Sequence, residues 1–226
     1  MDSEEIQRRF LAKPEIAFLV EAVREIQVRI ECIEILLKEI NALPLEQESL
    51  ALMFSECATL QFRKIIELIA LATVATNLPD YKTKVSDLTT YKSAKEMFQI
   101  VQSINPDFYP QPIEGNITTS DISVQLGPTT RNVLTKERAI SLYDFCNSHL
   151  HVHGPFKGSR KIDEVGDRYP KYLHQIKALL SHCIFVIPSE THFLVMNVPF
   201  KPKGDFTIAL GTAIPPKGEE IDWFNH

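Results

Sequence analysis

The sequence predicts an α+β fold within a single domain, 1–226: a long antiparallel helical bundle over residues 1–182, then a small three-stranded antiparallel sheet over 183–226. Three observations carry that reading. Apolar residues recur at steps of three and four from Pro14 to Ile40, a run free of Gly and Pro extends from about Leu45 to Thr76, and after His182 the pattern changes to short β-rich stretches.

The first helix has the seam Ile16, Leu19, Val23, Ile26, Ile30, Ile33, Leu37 and Ile40, as expected of a helix packed along its length on another helix. Pro14 suits its first turn, where the missing N–H would be unpaired anyway, and Asn41 through Pro44 ends it. The second helix stops at Asn77-Leu78-Pro79-Asp80. Its last half, from Ile65 to Ala72, is apolar almost all round, so other helices should enclose it. The covers are Tyr91 to Ile104, Thr135 to about Leu150, with Thr135 as N-cap, and Tyr169 to about His182. A long loop, Asn105 to Leu134, separates the first two, and loops of this length in compact domains are usually functional or mobile. Strands follow at Cys183 to Ile187, His192 to Val198 and Phe206 to Ala213, and so small a sheet needs the bundle to pack on.

A net charge of −5 and a pI near 5.8 argue against a protein whose whole surface coats nucleic acid, and leave room for a local basic patch. Cys32, Cys57, Cys146 and Cys183 form no CxxC pair, which fits a reducing cytosol better than a disulfide scaffold or zinc ribbon. The charged N-terminus lacks an apolar leader, and the greasiest stretch, Ile65 to Ala75, is short and interrupted by Glu67. The expectation is a cytoplasmic protein away from membranes, and without a secretory leader the Asn116-Ile117-Thr118 triplet is no glycosylation site. No cofactor is implied: GxGxxG, GxxxxGK[ST] and GxSxG are all missing from the sequence.

Arg63 and Glu67 stand four apart on the most buried helix and share a face. They read either as the floor of a polar site or, more plainly, as a structural ion pair. Prolines 106, 110 and 112 fix the directions of Asp107 and Tyr109, in a turn that serves as a ligand loop or as a wedge held by Phe108 and Tyr109. The segment from Cys146 to Pro155 contains three histidines at alternate positions. A strand would align His149, His151 and His153 as zinc ligands; a helix would align Cys146, His149 and His153. The plainer reading is a helix end at Gly154, with histidines meeting its partial negative charge. Basic residues between Lys157 and Lys171 are diluted by Asp163, Glu164 and Asp167, as on a solvated surface that RNA phosphates could still contact.

The runs Leu60 to Glu67, Asn105 to Pro110, and Cys146 to His151 ahead of Gly154-Pro155-Phe156 resemble a widespread group of bacterial proteins without an assigned reaction. More distantly, the long antiparallel helices resemble the HEPN superfamily. That resemblance implies either an inactive scaffold or a metal-independent RNase of toxin–antitoxin and phage-defence systems. The HEPN motif pairs an Arg that balances phosphate charge with a His that handles protons. Here it falls on Arg168 and His174, which share a face if Pro170 is the first helical residue. A polar residue usual soon after the Arg is replaced by Pro170.

The reading is therefore an interaction or accessory protein that forms a homo-oligomer or binds a partner protein. Its alternatives are an RNase, using Arg168 with His174 or Arg63 with a histidine such as His151, and a zinc protein using the His149–His153 cluster.

Overall fold

Helix α1 (Pro14–Ala42) starts on a proline in its first turn and buries Ile16, Leu19, Val23, Ile26, Ile30 and Ile33, the seam that the three–four spacing predicts. One turn of 3₁₀ helix (Leu45–Gln47) reverses the chain into α2 (Glu48–Thr76), which packs antiparallel along α1. Residues 65–70 of α2 are all buried, as their nearly all-round apolar character requires. In this computed structural model the described residues are 5, 12–87, 90, 92–113, 131–151, 163–187, 192–200 and 206–212.

After Asn77 a short helix α3 (Leu78–Lys84) turns off with Pro79 in its first turn. Helix α4 (Ala94–Gln102) begins later than predicted because Ser93 and Glu96 form a capping box: Ser93 Oγ accepts from the Glu96 N–H, and the Glu96 carboxylate accepts from the Ser93 N–H. Thr135 caps α5 (Lys136–Leu150), its hydroxyl accepting from the Arg138 N–H at 3.3 Å. Helix α6 (Asp163–Ser181) starts six residues before the predicted Tyr169, so Pro170 lies inside it and not at its first position.

The sheet has four strands, not three, in the order β1-β2-β3-β4, all antiparallel: β1 (Gln111–Pro112), β2 (His182–Val186), β3 (His192–Asn197) and β4 (Thr207–Thr212). The added strand pairs Gln111 with Ile184 and Pro112 with Cys183. A proline is tolerated there because β1 is an edge strand and needs no donor on its free side. Opposite Phe193, a Cβ at Gly211 would come within 2.4 Å of the aromatic ring, so the glycine lets that ring lie over β4.

Alternation divides the sheet's faces. Cys183, Phe185, Leu194 and Met196 join the core shared by α1, α2, α4, α5 and α6, whereas Ile113, Ile184 and Val195 form a second buried cluster. Gln27 on α1 donates to the Pro199 carbonyl at 3.0 Å, and Lys177 on α6 pairs with Glu34 on α1. Among the described residues no helix is long and apolar enough to cross a membrane.

Candidate functional site

Helix α2 is flanked by α1, α4, α5 and β2, and each part of it meets different neighbours. In its middle, Arg63 Nε donates to Glu67 Oε1 at 3.1 Å, and Lys64 Nζ donates to Oε2 at 2.9 Å. The Glu67 side chain is 8% exposed, while Arg63 and Lys64 are 30% and 45% exposed. The carboxylate is thus buried between two cations that keep their own contact with water, which removes most of the cost of burying it.

Arg63 also lies 5.7 Å from the centre of the Tyr143 ring on α5. Burial pushes the neighbouring Cys146 thiol up to about 12, and the Arg63 charge offsets part of that push. On α6, Tyr169 packs against Phe62 at 5.0 Å and edge-on to Phe145 at 6.4 Å. Its hydroxyl shares a hydrogen bond with Thr59 Oγ1, and burial raises its pKa well above the ordinary tyrosine value.

The structure separates the predicted Arg–His pair. Arg168 and His174 both lie on α6 and are exposed, and a separation of six residues on a helix turns them about 120° apart around the axis. Phe145 is contacted from two segments: Arg168 on α6 stands 5.1 Å over its ring, and His149 on α5 stacks on the same ring at 3.9 Å. His149 Nδ1 lies 3.0 Å from the Phe145 carbonyl, so that nitrogen is engaged by the helix and Nε2 is left for other chemistry.

His151 occupies the C-cap of α5 in an extended conformation, beyond the face that carries Cys146 and His149. His153 and the Lys157–Lys161 basic residues lie outside the described residues. Among those that are described, no three His, Cys, Asp or Glu side chains gather as a metal site would require.

Asp107 and Tyr109 do not join Arg63 and Glu67. Tyr109 donates to the Leu134 carbonyl at 3.1 Å, ahead of α5, whereas Arg63 meets α5 at Tyr143, nine residues on and about 13 Å along the helix. Tyr109 is raised above its usual pKa by burial, then by Glu137 and Cys183; burial also raises Asp107. Phe98, Phe108 and Tyr109 form a ring cluster, so this turn is a wedge on the bundle. It is fastened by buried amides: Asn105 Nδ2 donates to Asn77 Oδ1 at 3.0 Å and to the Val186 carbonyl at 3.1 Å, and Asn77 Nδ2 donates to the Thr73 carbonyl at 2.8 Å.

Beside the Glu67 clamp opens a cleft of about 730 Å³, bounded by α1, α2, α3 and the start of α4. Phe18, Leu71, Val74, Leu78, Tyr81 and Met97 supply a mainly apolar lining, with Glu15, Asp87, Lys64 and Lys92 among its charged residues. No family model, curated protein or solved structure matches this chain.

Sequence reasoning found the Arg63–Glu67 pair but missed Lys64 as its third member, the Tyr169–Thr59–Phe62 contact, the Asn77–Asn105 junction and the cleft. The i,i+3 spacing of Lys64 and Glu67 was a usable signal. The other three depend on contacts between distant segments, for which one sequence carries no local cue.

Proposed function

We propose that this protein is an interaction or accessory module whose cleft takes an amphipathic helix of a partner protein. The observation that carries this reading is the chemistry of the cleft: its walls are apolar, and its one buried carboxylate, Glu67, is already held by Lys64 and Arg63. A carboxylate clamped by two cations is poorly suited to proton transfer, whereas an apolar trough between helices suits anchors at i, i+3, i+4 and i+7. Charges of both signs in the lining favour a helix with acidic and basic flanks over a purely apolar molecule. The distant HEPN resemblance allows such a role, since that superfamily includes inactive scaffolds.

Calorimetric titration with a leucine-rich amphipathic peptide tests the reading. Saturable binding that is lost in Val74→Asp supports it. No binding of the peptide, together with saturable uptake of a small apolar dye, would favour a small-molecule site in its place.

A second reading is a metal-independent RNase, and what supports it is that Arg168 and His149 both contact the Phe145 ring. The cation would balance phosphate charge and His149 Nε2 would move the proton. RNA cleavage in the presence of EDTA, abolished by His149→Ala, is its expected result. RNA left intact by the wild-type protein ends it.

A further inference from the structure

Among the described residues, six large hydrophobic side chains are exposed: Phe18, Val28, Ile35, Leu45, Met53 and Leu60. Their positions follow a rule. Val28 and Ile35 lie seven residues apart on α1, and Met53 and Leu60 lie seven apart on α2, so each pair recurs on one side of its helix. Helical geometry puts each pair opposite its own helix's buried residues, such as Ile26 and Ile33 on α1 and Phe62 and Ile65 on α2. Arg29 Nη1 donates to Gln61 Oε1 at 2.6 Å, which fixes the register of the hairpin. In that register Val28 stands level with Leu60 to within a turn, as Ile35 does with Met53. The four therefore form a patch on the outer side of the hairpin.

We infer that this face packs on its own counterpart in a second copy of the chain, with the two hairpin turns at opposite ends. A single two-fold axis suffices, crossing α1 between Glu31 and Cys32 and α2 between Glu56 and Cys57. These two points are level within the hairpin. That axis sets Val28 against the partner's Ile35 and Met53 against the partner's Leu60. Four of the six exposed hydrophobics are matched by one operation, as a self-complementary isologous contact requires.

The charges agree. On α1 the axis brings Arg24 level with the partner's Glu39. Arg24 is exposed; in the single chain it pairs with Glu21 along its own helix and lies 5.8 Å from the centre of the Phe206 ring. The face is also large enough. Two helices of 29 residues present about 43 Å by 20 Å, close to the roughly 800 Å² per partner of a standard interface. The inference does not require the cleft to bind anything.

Light scattering of the full chain should give the mass of a dimer. Val28→Glu and Leu60→Glu, at exposed helical positions, should each give monomers with unchanged helical circular dichroism. Arg24→Glu should weaken the dimer on the order of ten-fold, and adding Glu39→Arg should recover it. Cys32 and Cys57 flank the axis, so a dithiodipyridine reagent, which takes two hydrogens from two thiols, should link copies covalently through one of them. A chain monomeric at every concentration overturns the inference and leaves the face to a different protein. So does a dimer that survives both glutamates, ignores the charge reversal, or cannot be linked through either cysteine.

Discussion

Around Glu67, helix α2 buries a charge and lets its two cations keep contact with water; around Asn77 it buries neutral amides whose partners are themselves enclosed. The difference decides what each cluster tolerates. If the Glu67 carboxylate is removed, Arg63 and Lys64 can turn to solvent, because both are already partly in it. If an amide is removed at the other cluster, a buried donor or acceptor is stranded, at a cost of about 1–3 kcal/mol for each group left unpaired. The charged cluster is thus the more conspicuous in the sequence and the less demanding in the fold.

The largest expected effect tests the packing that frames the charged cluster. Tyr169 is fully buried between Phe62 and Phe145, so Tyr169→Ala should lower the unfolding free energy by about 3–5 kcal/mol in urea titrations. Tyr169→Phe should cost only about 1 kcal/mol, since Thr59 Oγ1 also bonds the Ser55 carbonyl at 2.7 Å. Equal losses in the two variants would mean that the hydroxyl, not the ring, holds α6 to α2.

At the neutral cluster, Asn105→Ala deprives Asn77 Oδ1, the Val186 carbonyl and the Asp107 N–H of their partner at one stroke. A loss of about 2–3 kcal/mol is expected, with the greatest increase in hydrogen exchange at the 105–110 turn and the end of β2. Glu67→Met replaces the buried carboxylate with an apolar chain of similar volume and should change stability by less than about 1 kcal/mol in either direction. If Glu67→Met proves costlier than Asn105→Ala, the contrast between the clusters is inverted.

How much of this was legible in the sequence follows from the range of each interaction. Helices α1 and α2 could be read because burial repeats every three or four residues along them. Thr135 could be read as a cap because its partner is three residues away. Strand β1 could not, since two residues with a proline carry no period and are a strand only because β2 lies alongside. The same limit applies to Pro170: a proline reads as a helix start, and only the packing of α6 shows it within the helix. The predicted site divided along this line. Arg63 and Glu67 are local and stand together, whereas joining them to Asp107 and Tyr109 needed tertiary information. The Arg168–His174 pairing depended on where α6 begins, which the following turns of the chain could not reveal.

The smallest effect concerns pH, and it probes the sheet side, where the buried partners are uncharged. His182, the first residue of β2, has its pKa lowered from an ordinary value near 6.5, first by burial and then by the Arg131 charge. Above that ordinary value the imidazole is neutral in both folded and unfolded chains and contributes no pH dependence. As pH falls below it, the unfolded chain takes up a proton that the folded chain resists, so the folded state loses stability. The loss is complete once pH passes below the folded-state value. Unfolding free energy should therefore decline modestly as pH falls below about 6.5, and His182→Gln, which keeps a polar neutral side chain, should remove that slope. A slope that persists in the variant would assign the acid sensitivity to another group, and one that rises toward low pH would show that His182 is stabilised in its charged form.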